Sequence, residues 1–154
     1  MITKCTVANG SGTVESSAVD LDVTCASTYF FEDDDGTSFG VWITDGSTAG
    51  TSKLMSYSNA GSSAFVNYKS DLYFTAENAG LGELWKSDGT VAGTTLVKQF
   101  ETNYDTNLMI VVNNEIFFNN ANTAEGGELW KSDGTEAGTT LLKDINPGVA
   151  PSNP

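Results

Sequence analysis

The 154-residue chain contains no histidine and no arginine, and its seven lysines face twenty acidic residues, for a formal net charge of −13. Without histidine there is no Ser-His-Asp or Cys-His nucleophile arrangement, no imidazole general base and no histidine metal site. Without arginine there is no bidentate clamp for carboxylate or phosphate. A nucleic-acid partner is excluded as well, because phosphate contacts need clustered cations. An acidic surface of this kind is expected to serve solubility, with an acidic recognition face as the alternative. No run of about eighteen apolar residues occurs, so no membrane insertion is expected. Met1 is followed by neither a charged segment nor an apolar run of the signal-peptide type. The expectation is an export signal already removed, or a piece of a longer parent.

Cysteine is also scarce. Cys5 and Cys25 stand twenty positions apart, too few ligands for zinc, which leaves a disulfide or two inert buried thiols. The wealth of Gly, Ser, Thr and Asn suits an exported repeat protein, where disulfides persist, and favours the Cys5–Cys25 bond. Asn9-Gly10-Ser11 is the one N-x-S/T sequon, making Asn9 a glycosylation candidate.

What the chain does have is a phrase written almost twice. Residues 83–98 read ELWKSDGTVAGTTLVK and residues 128–143 read ELWKSDGTEAGTTLLK, while a third copy at residues 40–55, GVWITDGSTAGTSKLM, keeps Trp42, Asp45, Gly46, Ala49, Gly50 and Thr51 in register. The tryptophans fall at 42, 85 and 130, intervals of 43 and 45 residues that signal a repeat architecture. Each phrase reads as a strand, a turn and a strand. Leu84 and Trp85 are β-favouring, Ser87-Asp88-Gly89-Thr90 carries turn chemistry, and residues 94–98 are again β-branched or aliphatic. Gly93 is expected to set a bulge or a second tight bend.

Taken in order, residues 1–16 hold a short β-like run and a polar linker, a possible exchange arm. Unit one follows at 17–56, unit two at 57–100 and unit three at 101–145, and residues 146–154 form a Pro-rich tail or linker. Expected strands lie at 19–24, 29–32, 39–44 and 51–57, then at 64–68, 72–76, 82–87 and 94–100, then at 108–112, 116–119, 128–132 and 139–145. Hairpin turns are expected at Ala26-Ser27-Thr28, Lys69-Ser70-Asp71 and Asn113-Asn114. No segment holds a helical apolar stripe over three turns. Four short antiparallel strands per unit of about 44 residues is the arithmetic of a propeller blade, so the fold class is all-β with β-propeller-like tandem repeats.

The aromatic pairs Tyr73-Phe74 and Phe117-Phe118, the ELWKSDGT-x-AGT phrase and the L-K-D-I-N-P-G ending at residues 142–148 resemble the bacterial ELWxSDGT repeat family. Its members are long secreted or surface proteins expected to fold as β-propellers. The likeness covers roughly residues 17–148 and is weakest in unit one, where Val41 and Ile43 replace Leu and Lys. It implies a fold and an extracellular or cell-surface location, and no catalytic residue.

Three sets of residues offer chemistry, and each has a structural explanation. Trp42, Trp85 and Trp130 suit a sugar-stacking ring, yet their recurrence inside apolar strands is what core packing between units needs. Glu32, Asp33, Asp34 and Asp35, followed by Gly36, offer hard oxygen ligands for Ca²⁺ without meeting the EF-hand pattern, and the matching loops at 77–80 and 119–126 are less acidic. Asp45, Asp88 and Asp133 resemble paired acids for glycoside hydrolysis, but the Asp-Gly turns formed with Gly46, Gly89 and Gly134 explain them without catalysis.

Single-chain propellers close with about four to eight blades. Three units leave two apolar faces open, more than a soluble monomer tolerates. The expected function is therefore a non-enzymatic extracellular structural protein that assembles with copies of itself through blade faces and strand edges into an oligomer or fibre, with residues 1–8 and 146–154 as contacts between chains. The alternative is a propeller module that binds a glycan or protein, within a longer parent.

Overall fold

The computed structural model describes residues 2–9, 21–57, 64–101, 108–122 and 126–148. These residues form twelve strands and no helix, so none of their segments crosses a membrane as a helix. The strands are β1 (Ile2–Asn9), β2 (Leu21–Asp34), β3 (Phe39–Thr44), β4 (Ser52–Tyr57), β5 (Phe65–Tyr68), β6 (Asp71–Asn78), β7 (Leu81–Ser87), β8 (Thr95–Gln99), β9 (Met109–Val112), β10 (Glu115–Asn122), β11 (Gly126–Ser132) and β12 (Thr140–Lys143). They make three four-stranded antiparallel sheets, β1 to β4, β5 to β8 and β9 to β12, each with neighbours in chain order.

The sheets are built on one register. Each tryptophan faces a phenylalanine of the preceding strand, as Phe31 to Trp42, Phe74 to Trp85 and Phe118 to Trp130. The pairing to the following strand slips just before each tryptophan, at Val41/Trp42, Leu84/Trp85 and Leu129/Trp130. The extra residue of each bulge lies on the following strand, at Leu54, Val97 and Leu142, and Gly93 instead lies in the tight bend before β8.

Hairpin chemistry explains which turns close. Asn113 and Asn114 both take left-handed backbone, with φ 49° and 62°, and join β9 to β10 as a two-residue loop. Asparagine tolerates that conformation best among residues with a side chain. Lys69, φ 57°, starts the equivalent turn between β5 and β6. The turn expected at Ala26-Ser27-Thr28 does not form. β2 runs unbroken from Leu21 to Asp34, pairing with β1 over residues 21–28 and with β3 over residues 29–34. Ala26 and Ser27 bring no preference for positive φ, the flanking Val23-Thr24-Cys25 and Tyr29-Phe30-Phe31 favour extended chain, and β1 supplies a pairing partner. β1 is therefore the fourth strand of the first sheet.

Two cores lie between the sheets. Val41, Leu54 and Tyr57 of the first sheet meet Leu72, Phe74 and Ala76 of the second. Tyr68, Tyr73, Leu84 and Val97 of the second meet Met109, Ile116, Phe118 and Trp130 of the third. Alternation along β6 sends Leu72, Phe74 and Ala76 to one side and Tyr73 to the other, and residues 72–76 are all buried. The middle sheet is thus covered on both faces. Full burial of a side chain such as Phe74 or Leu84 contributes about 2 to 3 kcal/mol.

Candidate functional site

The repeated phrase spells a turn, letter by letter. Thr90 donates its amide (2.9 Å) and its hydroxyl (2.7 Å) to Asp88 Oδ1, and the same hydroxyl accepts the Gly93 amide at 2.9 Å. Ser87 Oγ accepts the Gly89 amide at 3.1 Å and lies 2.8 Å from Thr94 Oγ1, which donates to the Thr90 carbonyl at 2.7 Å. Gly89 has φ 92°, where a side chain would be strained. Gly93 is glycine for another reason: a Cβ there would collide with the Asp88 carboxylate. The network recurs around Asp133 with Thr135, Gly138, Ser132 and Thr139. Around Asp45, Ser47 and Thr44 replace the threonine and the serine.

Each of the three carboxylates is thus engaged by the hydroxyl of its own turn. The Ser47 hydroxyl and amide hold Asp45 below the ordinary carboxylate range, and the Thr135 hydroxyl and amide do the same to Asp133. A general acid needs the opposite shift. The acidic loop is likewise committed to itself. Asp35 Oδ1 accepts the Thr37 hydroxyl (2.6 Å), the Thr37 amide (2.9 Å) and the Ser38 amide (3.0 Å), while Oδ2 meets Lys53 Nζ at 2.9 Å. Asp34 accepts the Gly36 amide and Asp33 accepts the Asp34 amide, each at 2.8 Å. Among the described residues no three His, Cys, Asp or Glu side chains gather as a metal site.

The three tryptophans occupy one repeat position in three surroundings. Trp130 is buried in the core between the second and third sheets, and Trp85 packs half-buried against the core between the first and second. Trp42 lies outside both cores, on the face of the first sheet turned away from the second. It stacks on Phe31 with ring centroids 6.4 Å apart, under the Lys53 ammonium at 5.5 Å from its centre. Trp85 Nε1 donates to Glu83 Oε2 at 2.9 Å, whereas the indole nitrogens of Trp42 and Trp130 have no hydrogen-bond partner. The cause is local. Gly40 stands where Glu83 does, and Glu128 instead accepts the amides of Ile145 (2.8 Å) and Asn146 (3.2 Å).

The remaining site residues are placed by the first sheet. Cys5 and Cys25 are register partners across β1 and β2, and Asn9, the last residue of β1, pairs with Leu21. Residues 10 and 11 of the sequon fall outside the described residues, as do residues 149–154 of the expected contact tail.

Superposing the repeats by register exposes what the motif search missed. One face of the second sheet presents Tyr68, Tyr73, Leu84, Val97 and Phe100, all 8% exposed or less, to the third sheet. The matching residues of the third sheet are Val112, Phe117, Leu129, Leu142 and Ile145, and of these Val112, Leu142 and Ile145 are 43–47% exposed. Ile110, in the same face, is 50% exposed. At the other end, Leu72 and Phe74 of the second sheet, and Ile116 and Phe118 of the third, are 2% exposed or less. Their counterparts in the first sheet are Tyr29, 53% exposed, and the half-buried Phe31. Lys53 stands where Leu96 and Leu141 do, but its three protons go to Asp35 Oδ2, the Ser38 carbonyl and Ser38 Oγ, at 2.8–2.9 Å. What it leaves over Trp42 is an aliphatic stem. The strand alternation was readable in the sequence; which alternate faced a neighbour was not, because both ends carry the same pattern as the middle.

A scan against protein-family models, a search of curated proteins and a search of solved structures each found no match.

Proposed function

We propose that this chain is a non-enzymatic, extracellular structural protein whose sheets act as propeller-like blades, and that copies associate head to tail. The outer face of the third sheet of one copy docks on the outer face of the first sheet of the next. One observation carries the reading: these faces are the unmatched halves of an interface that the chain builds twice within itself. The face bearing Ile110, Val112, Phe117, Leu129, Leu142 and Ile145 repeats, position for position, the face that the second sheet presents to the third. The face bearing Tyr29, Phe31 and Trp42 repeats the face that receives it. A second copy is thus the occupant whose shape and chemistry are already in the chain. Lys53 is compatible with burial there, since each of its protons already has an acceptor. Two copies supply six units, inside the range of about four to eight that closes a propeller; a contact that does not close extends the same interface into a fibre. The resemblance to exported ELWxSDGT repeat proteins supports the location.

The test is complementation between two blocked variants. Tyr29→Asp places a charge on the first sheet's outer face and Leu142→Asp places one on the third's, both at exposed positions that leave folding intact. Each variant alone should be blocked at one end of every contact and stay monomeric. Mixed in equal amounts they should form dimers and stop, because one working face of each kind survives. If Tyr29→Asp alone still dimerises, the third sheet pairs with itself and the head-to-tail reading is wrong.

A further inference from the structure

β1 pairs with no described strand but β2, and β3 takes up β2 only from Tyr29 onward. Residues 2–9 and 21–28 are therefore a two-stranded ribbon extending from the sheet, an arrangement that is marginal in water unless something reinforces it. Among the described residues nothing comparable occurs in the other sheets, where a two-residue turn folds the first strand back along the second.

The ribbon's register runs without a slip through eight pairs, from Ile2 opposite Thr28 to Asn9 opposite Leu21, and it sets Cys5 directly opposite Cys25. Opposed residues of an antiparallel pair have Cα atoms about 4.5 or about 5.5 Å apart, according to whether they exchange hydrogen bonds. Both values fall within the roughly 4.4 to 6.8 Å that a disulfide bridges. A register shifted by one residue would set Cys5 against Thr24 or Ala26 and lose the match. The chain has no third cysteine to compete.

We infer that Cys5 and Cys25 form a cross-strand disulfide that locks the β1–β2 ribbon, making it stable under oxidising conditions and releasable by reduction. The bond forms by exchange with a small disulfide oxidant. One cysteine thiolate attacks the oxidant, giving a mixed disulfide and releasing one thiol, and the second cysteine thiolate then displaces the other. One S–S bond breaks, one forms, and the two cysteine protons end on the two released thiols. This does not depend on association between sheet faces, and its test is independent of that reading.

The full chain is refolded with oxidised glutathione, denatured, treated with iodoacetamide and weighed intact. The expected result is no alkylation, and two adducts per chain when a phosphine reductant precedes the reagent. Two adducts without reductant, or a bond recovered only between chains on a non-reducing gel, overturns the assignment. Amide exchange then reads the lock. Protection of residues 2–9 should fall at least tenfold on reduction, and equally in Cys5→Ala/Cys25→Ala without reductant. Unchanged protection in both would mean that the bond, if formed, does not hold the ribbon.

Discussion

Val97 and Leu142 occupy the same repeat position, yet Val97 is 8% exposed against the third sheet while Leu142 is 44% exposed on the third sheet's outer face. Truncating each to alanine separates folding from association. Val97→Ala removes two methyl groups from a filled core, about 1.6 kcal/mol by transfer and about 2 kcal/mol once the cavity is included. Leu142→Ala removes three carbons that are only about half buried in a single copy, a loss of about 1 kcal/mol. In the assembly Leu142 is buried like Val97, and its loss rises towards about 3 kcal/mol with the cavity counted. Urea unfolding at two concentrations a hundredfold apart reads the difference. The cost of Val97→Ala should be the same at both, and the cost of Leu142→Ala should grow with concentration, since a bound partner stabilises the folded state by mass action. The reasoning fails if Leu142→Ala costs as much as Val97→Ala in the dilute sample, or if neither cost depends on concentration.

Three further outcomes follow from the turns and the buried carboxylate. Gly93→Ala forces a Cβ onto the Asp88 carboxylate and should cost about 1 to 3 kcal/mol; in the Asp88→Ala background most of that penalty should vanish, and a double-mutant cycle in urea that proves additive would sink the explanation. Asp45 and Asp133 are held below their ordinary value of 3.8 chiefly by the Ser47 and Thr135 hydroxyls. A carboxyl depressed in the folded state contributes stability above its unfolded pKa that is lost as pH falls through the folded value. The urea midpoint of the association-blocked Leu142→Asp variant should therefore be level above about pH 5 and drop below about pH 4, and Asp133→Asn should shrink the drop. Glu128, fully buried, accepts the amides of Ile145 and Asn146; Glu128→Ala strands both and should cost about 2 kcal/mol, with amide exchange at residues 145 and 146 rising first.

Much of the architecture was legible because the chain states it repeatedly. The tryptophan spacing, the SDGT turns and the Asn113-Asn114 hairpin each rest on local chemistry that no neighbour overrides. The first unit was misread at Ala26-Ser27-Thr28 for a physical reason: small polar residues permit a turn without requiring one, and β1 offered extended chain a partner. Gly93 was read as a bulge or a second tight bend, and it lies in the bend; that it makes room for a carboxylate five residues earlier is a contact that only the folded turn reveals. Trp42 shares its letter and its register with Trp85 and Trp130, yet its neighbours Gly40 and Lys53 replace a glutamate and a leucine. Those two substitutions give it surroundings unlike those of Trp85 and Trp130.

The direct measurement is the mass of the unmodified chain in solution, by sedimentation equilibrium from sub-micromolar to high micromolar concentration. Association through the two outer faces predicts species at whole multiples of 16.2 kDa that dissociate on dilution and that Leu142→Asp abolishes. A single species of 16.2 kDa at every concentration would show that water tolerates both faces and would contradict the account.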